Sequence, residues 1–391
     1  MTGQAGVRIL VVDDSAFNRL LLRRRLAELG YEDVAVAADG IEGLAAIATG
    51  GFDVVLLDLE MPELDGIGVL ERLRAGDAPP PPVIVISALS DLAGVVRCIE
   101  LGAEDYLPKS FEPPLLRARL SAVLEKKRLR DLAAQRLAAL EEELDSARRA
   151  QLSLVPAAFE AIGGGRVAIH AAMVPARQVG GDLYDAMRLD ERRLVFAVGD
   201  VSGKGAPAAL TMARTLGVMR SAARRLAQAA PGLPEPGEIL GLANEELAAA
   251  NDSATFVTAV LGALDVTTGA GLIAVAGHDP PVLLGADAAP RLLETGARQP
   301  ALGMMEGVRY RSEALALAPG ETLFLYTDGV SEAEDAEARL FGRARMLAGL
   351  AALGAEAMPP AVVAAVMRDV AAFAEGTAQA DDITALALRF D

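Results

Sequence analysis

The chain has 391 residues, 52% of them hydrophobic, which is too many for one ordinary core and enough for two or three. Its 37 Lys and Arg stand against 54 Asp and Glu, a formal charge of -17. That balance argues against a nucleic-acid surface and suits acidic pockets that collect divalent cations. The single cysteine, Cys98, excludes a disulfide framework or a cysteine-ligated zinc site within one chain.

Met1 to Val12 has neither the basic start nor the apolar run of a secretion signal. No uncharged apolar stretch is long enough to span a bilayer, so a cytoplasmic chain with no membrane partner is expected. From Val7 to about Leu124, short apolar runs alternate with helical stretches. The runs are Val7–Val12, Val34–Ala37, Val54–Leu57, Val83–Ile86 and a short one at Tyr106-Leu107. Continuous apolar strands between helices predict a parallel sheet buried on both faces, with function at the carboxyl ends of its strands. Pro79 to Pro82 reads as a rigid loop before the fourth strand.

Arg117 to Gln151 contains no Gly or Pro and is rich in Ala, Leu, Arg and Glu, which predicts one long helix. Leu137, Leu140, Leu144, Ala147 and Gln151 follow a three-four spacing, while Leu129 and Leu132 are out of step. An imperfect parallel coiled coil, and hence a homodimer, is the expectation; a solitary amphipathic helix lying on one domain is the alternative. Pro156 ends the stretch. Beyond Val167 the strands lengthen: Val167–Val174, a hairpin of Leu183–Leu189 and Leu194–Gly199 about the turn Asp190-Glu191, then Phe256–Leu264, Leu272–Ala276, Leu323–Thr327 and Ile383–Arg389. Helices are expected at about Pro207–Leu226, Pro236–Ala250 and Pro359–Ala374. The whole is an α/β chain. A doubly wound parallel-sheet domain occupies 1–124, a helical linker 125–153, and an α-β-β-α sandwich 154–391.

In the first part, Asp13 and Asp14 follow the first strand, Asp58 ends the third, Ser87 ends the fourth and Lys109 follows the fifth. In a parallel sheet all lie on one rim. Clustered carboxylates repel one another, and a magnesium ion relieves the strain through hard oxygen ligands. Asp58 is then placed to attack phosphorus in line, with Lys109 and Ser87 meeting the phosphoryl oxygens. Asp13-Asp14, the run Asp58 to Gly66, Ser87-Ala88 and the run Gly102 to Lys109 resemble the response-regulator receiver family over about 125 residues. The resemblance implies that Asp58 is the phospho-acceptor and that a sensor histidine kinase or phosphotransfer protein is the donor. It implies magnesium held by Asp13, Asp14, Asp58 and the Glu60 carbonyl, and a switch pair of Ser87 and Tyr106.

In the second part, Asp182 precedes one arm of the hairpin and Asp200 follows the other, so the two should be neighbours. Asp328 ends one late strand and Asp381 precedes the last, permitting one cluster of four carboxylates. Oxygen-only donors select magnesium or manganese over zinc, as does a count of only two histidines. Two such ions, roughly 3.5–4 Å apart, activate water and clamp a phosphate without a protein nucleophile. The segments 179–185, 199–205, Ala276-Gly277-His278, 326–329 and 381–384 resemble the SpoIIE-type branch of the PPM metal-dependent protein phosphatases, over about Leu154 to Asp391. The resemblance implies a centre of two Mg2+ or Mn2+ built by Asp182, Asp200, Asp328, Asp381 and the Val201 carbonyl. Asp185 and Asp382 are either accessory metal residues or turn carboxylates. His278 is either a proton donor or a structural loop histidine. Asp279 stands where the family often has Asn.

The resulting expectation is a response regulator in which Asp58 phosphorylation controls a serine/threonine phosphatase. The resemblance implies a phosphorylated anti-sigma-factor antagonist as substrate, in a partner-switching pathway. A pseudophosphatase adaptor is the alternative, disfavoured because all four aspartates are retained. A DNA-binding regulator lacks a basic recognition helix.

Overall fold

A computed structural model of the chain describes residues 6–76, 79–88, 92–159, 162, 165–249, 255–285, 289–294, 296, 298–354 and 356–391. It divides into two compact units, Met1–Leu140 and Glu141–Asp391.

In the first unit the elements alternate: β1 (Arg8–Val12), α1 (Ala16–Glu28), β2 (Asp33–Ala37), α2 (Gly40–Ala48), β3 (Val54–Asp58), α3 (Gly66–Ala75), β4 (Val83–Ser87), α4 (Leu92–Glu100) and β5 (Asp105–Pro108). The five strands pair in parallel in the order β2-β1-β3-β4-β5. Alternate residues of one strand feed opposite cores: Ile9 and Val11 pack with Leu116 and Leu120, while Leu10 and Val12 pack with Val69 and Leu70. Both faces are therefore dry, as the unbroken apolar runs predict. Asp39 and Asp65 cap α2 and α3 by accepting first-turn backbone N–H groups, which holds the loops on the carboxyl rim.

α5 (Pro113–Leu152) is one unbroken helix that begins four residues before the predicted start. Pro113 and Pro114 occupy its first turn, where a missing N–H costs nothing, so they begin the helix instead of blocking it. Leu129, Leu137, Leu140 and Leu144 are exposed along it. No described helix is long and apolar enough to cross a membrane.

In the second unit the strands are β6 (Val167–Val174), β7 (Leu183–Arg188), β8 (Arg193–Val201), β9 (Val257–Asp265), β10 (Ala270–Ala276), β11 (Val282–Leu284), β12 (Arg291–Leu292), β13 (Glu313–Ala316), β14 (Thr322–Tyr326) and β15 (Ile383–Phe390). They form two antiparallel sheets, β13-β10-β9-β8-β7 and β12-β11-β14-β15-β6. Strand periodicity makes the sandwich: Leu323, Leu325, Leu386 and Leu388 turn inward to the core of the first sheet, while Phe324, Tyr326, Ala385 and Ala387 turn outward. The outer face of the first sheet is covered by α6 (Ala206–Ala229) and α7 (Pro236–Ala248). The second is covered by α9 (Arg343–Ala352) and α10 (Pro359–Phe373), with a single turn, α8 (Asp328–Ser331), between. The predicted hairpin is present as β7–β8; the predicted end of α7 at Ala250 lies outside the described residues.

Candidate functional site

The carboxyl rim of the parallel sheet brings Asp13, Asp14 and Asp58 together, with oxygens of all three within 4.8 Å of one another. Asp13 is fixed by the Ser15 N–H at 2.9 Å and by the Asn18 amide at 3.2 Å from each of its oxygens. Burial raises its pKa, and the neighbouring Asp58 charge adds to the rise. Lys109 Nζ lies 2.6 Å from Asp58 Oδ2. Burial alone would lower the Lys109 ammonium, but its hydrogen bond and attraction to Asp58 outweigh that and hold it above the usual lysine value. Ser87 is fully buried, and the Tyr106 hydroxyl donates to its carbonyl at 3.3 Å. The Glu60 backbone N–H points at Asp58 Oδ1 over 3.4 Å. The arrangement is an acidic pocket with the Lys109 ammonium beside Asp58 and Arg19 on the Asp13 and Asp14 carbonyls, able to take a hard divalent ion and an incoming phosphoryl group on Asp58.

The second cluster is assembled by strand ends. Register places Leu183 opposite Gly199, so Asp182 and Asp200 are adjacent at the open end of the β7–β8 hairpin. Tyr326 pairs with Ala385, which brings Asp328 and Asp381 to the same edge of the other sheet. Asp182 is buried and accepts the Thr327 hydroxyl at 2.8 Å. Burial, and then the charge of Asp200, pushes its pKa well up. Burial also lifts Asp200, to about 7, with the charges of Asp328 and Asp381 contributing. Asp328 is raised by burial and by Glu332, Asp381 and Asp279. Lys204 Nζ stands 3.4 Å from Asp381 Oδ2 and also donates to the Ala380 carbonyl.

Three acids driven toward their neutral forms in one place make a site that gains from divalent cations. Among the described residues only the rim of the parallel sheet packs three carboxylates within 4.8 Å. The four aspartates of the second unit are spread more widely. The Val201 carbonyl ends β8 beside this edge, and a Cβ on Gly181 would lie only 2.7 Å from it.

Other side chains have different work. Asp382 accepts backbone N–H groups of Ala176 at 2.7 Å, Gly181 at 2.6 Å and Asp182 at 3.4 Å, and so anchors the glycine turn that carries Asp182. That fit needs Gly180: a Cβ there would sit 2.1 Å from Asp382 Oδ2. Asp185 turns both oxygens to Arg220, at 2.7 and 2.8 Å. His278 is half-buried and held between the Thr258 hydroxyl at 2.8 Å and the Tyr326 carbonyl at 3.0 Å. Burial lowers its pKa to about 4. The neutral ring then donates from Nε2 to the carbonyl and accepts at Nδ1, with no proton to spare. Asp279 forms an ion pair with Arg343. The reading of the sequence missed Thr327, Arg220, Lys204 and Gln151 as functional neighbours. Thr327 and Lys204 lie inside the segments 326–329 and 199–205, Gln151 lies on the three-four spacing of the long helix, and Arg220 carries no local mark.

Comparison with known proteins agrees with this division. The model for Stage II sporulation protein E (SpoIIE) matches residues 190–391, just over half of the chain. The response regulator receiver domain matches residues 9–121. Protein IcfG of Synechocystis sp. is 30% identical over 275 residues, covering 63% of this chain and 41% of IcfG. The probable transcriptional regulator ycf27 of Porphyridium aerugineum is 44% identical over 119 residues, covering 30% of this chain and 48% of ycf27. The chain thus spans less than half the length of either relative. Among solved structures, the SiaA-PP2C domain of Pseudomonas aeruginosa superposes with a TM-score of 0.57 at 26% identity, covering 66% of this chain and 99% of that domain. With the antiparallel sandwich and its edge of aspartates preceded by a parallel-sheet domain and its acidic rim, the chain belongs to the SpoIIE family and carries a response regulator receiver domain ahead of its PP2C-type phosphatase domain.

Proposed function

We propose that the chain is a metal-dependent protein serine/threonine phosphatase whose activity is controlled by phosphorylation of Asp58. The observation that carries the reading is the convergence of Asp182, Asp200, Asp328 and Asp381 at one edge of the sandwich, with three of them raised in pKa. These carboxylates and the Val201 carbonyl would hold two magnesium or manganese ions, which supply an activated water and a clamp on the phosphate. The protein contributes placement. The β7–β8 register sets Asp182 beside Asp200, Thr327 orients Asp182, and Asp382 fixes the turn between them. No serine or cysteine nucleophile is required.

On the receiver side, Asp13 and Asp14 would hold magnesium against Asp58, and Lys109 and Ser87 would meet the phosphoryl oxygens. Tyr106 would report occupancy through its contact at Ser87. The phosphoryl donor is a histidine kinase or phosphotransfer protein. The proposed substrate is a phosphorylated anti-sigma-factor antagonist in the cytoplasm, and the exposed leucines of α5 favour a homodimer.

Purified full-length protein, supplied with manganese and a phosphoserine protein, should release phosphate, and Asp200→Ala should reduce release to background. Adding beryllofluoride, an acyl-phosphate mimic, should change the wild-type rate and leave an Asp58→Asn variant unaffected. Undiminished release by Asp200→Ala would sink the mechanism, and a rate indifferent to beryllofluoride would sink the control.

A further inference from the structure

The end of α5 touches the acidic edge of the sandwich through Gln151. Gln151, in the helix's last turn, is buried, with only 6% of its surface exposed. Its amide Nε2 donates to the Gly180 carbonyl at 2.6 Å, and its Oε1 accepts the Gly180 N–H at 3.1 Å. The pair copies the two-bond contact of neighbouring strands, with a side-chain amide in place of one peptide. An amide side chain suits this, because its two ends are a donor and an acceptor at the spacing of a peptide unit. The orientation of the amide is fixed by that pairing.

Gly180 begins the turn that delivers Asp182. On its other side the turn is held by Asp382, which accepts Gly181 N–H at 2.6 Å. No bulkier residue fits at Gly180, where a Cβ would press on the Asp382 carboxylate at 2.1 Å. The turn is therefore gripped from two directions, by an aspartate of its own sandwich and by the last turn of the helix that begins just after receiver strand β5. The stretch after the helix has separate moorings. Arg220 donates to the Leu154 carbonyl at 2.7 Å and the Tyr184 hydroxyl to the Pro156 carbonyl at 3.0 Å. Gln151 is thus not needed merely to keep the chain attached.

We propose that Gln151 is a positioning residue of the acidic edge: its amide holds the Gly180–Asp182 turn in the arrangement that receives divalent cations, so Asp182 is in place only while the last turn of α5 is seated. This rests on the metal-dependent reading of the four aspartates. A displacement of the helix end breaks both hydrogen bonds at once, because both belong to one planar amide. The turn then loses one of its two grips, and the carboxylate nearest to it loses its fixed position. The cost falls on cation affinity, and turnover at saturating cation is largely preserved.

The test uses the full chain and manganese chloride alone. Manganese affinity is read by calorimetry, stability is read in chelator, and phosphate release is followed against manganese concentration. Gln151→Leu, similar in size but without either hydrogen bond, should weaken manganese binding roughly 10- to 100-fold, the usual range for a group that orients a ligand. Its rate at saturating manganese should stay within a few-fold of wild type. Gln151→Met, unbranched and likewise without either hydrogen bond, should weaken manganese binding to the same extent. It also serves as the deciding variant if Gln151→Leu does not fold. Tyr184→Phe, which removes a mooring but not the amide, should bind manganese as wild type does. Unchanged affinity in both Gln151 variants, or an equal loss in Tyr184→Phe, would overturn the proposal. If wild-type protein takes up no manganese beyond its receiver site, the metal-dependent reading itself fails, an outcome distinct from the other two.

Discussion

The Thr327 hydroxyl donates to Asp182 Oδ2 at 2.8 Å, and the hydroxyl's own Oγ1 accepts the Thr384 N–H at 3.0 Å. One side chain therefore ties the end of β14 to the start of β15 and to the carboxylate ahead of β7, joining the two sheets at the acidic edge. Thr327→Val keeps the shape but leaves a buried N–H and a buried carboxylate without that partner. Urea unfolding in chelator should show a loss of about 1–3 kcal/mol. Thr327→Ser should restore most of it, and manganese-supported phosphate release should follow the same order.

Asp200 makes an opposite demand on stability. Its pKa rises from 3.8 in the open chain to about 7 in the metal-free fold, from burial first and then from the charges of Asp328 and Asp381. The folded state thus holds this proton more tightly than the unfolded state does. The associated stability is complete below about pH 4 and is lost as pH rises through 7. Asp200→Asn should make the metal-free protein more stable at pH 8, by an amount on the order of 2–4 kcal/mol, with little change at pH 4. The same variant should lose manganese-dependent stabilisation and phosphate release. Melting curves at the two pH values, with and without manganese, separate these effects.

His278 has the reverse sign. Burial lowers its pKa from 6.5 to about 4, so the unfolded chain takes up a proton that the fold refuses. Its contribution is present above pH 6.5 and is lost as pH falls toward 4. The window overlaps that of Asp200, and the two trends oppose each other in the wild-type curve. The difference between wild type and His278→Asn isolates the histidine. It should shrink by about 3 kcal/mol between pH 7.5 and pH 4. A difference that does not vary with pH would show that the ring is not held neutral.

At the receiver rim, Lys109 Nζ at 2.6 Å from Asp58 occupies part of the space in which a cation is useful. Lys109→Ala should bind magnesium roughly 2- to 10-fold more tightly, because a competing charge is gone. It should also take up phosphoryl groups from a small acyl-phosphate donor more slowly. Titration in an Asp200→Asn background confines the calorimetric signal to the receiver, and mass spectrometry counts the phosphoryl groups.

Much of this geometry is legible in local sequence. Apolar runs between helical stretches specify the parallel sheet, and its topology then puts Asp13, Asp58, Ser87 and Lys109 on one rim. A short turn, Asp190 to Arg192, sets the β7–β8 register, and register alone makes Asp182 and Asp200 neighbours. Contacts between side chains distant in sequence are a different matter. Arg220 reaches Asp185 across 35 positions and Gln151 reaches Gly180 across 29. Neither periodicity nor turn chemistry encodes such a choice of partner. The Gly-His pair gives no hint that both ring nitrogens of His278 are already engaged, because Thr258 and the Tyr326 carbonyl arrive from other strands. α5 starts four residues before the Arg117–Gln151 stretch free of Gly and Pro because Pro113 and Pro114 are tolerated in a first turn.

The turn from Gly180 to Asp182 is tied down by Asp382 and Gln151, through groups that belong to the chain and do not leave with a cation. Emptying the acidic edge therefore removes charge without removing order. The amide hydrogens of Gly180 and Gly181 should stay slow to exchange with solvent in chelator, while the bound ions come and go. Loading then runs on the timescale of ion exchange, not of refolding, and the domain can follow changes in available divalent cation quickly and reversibly.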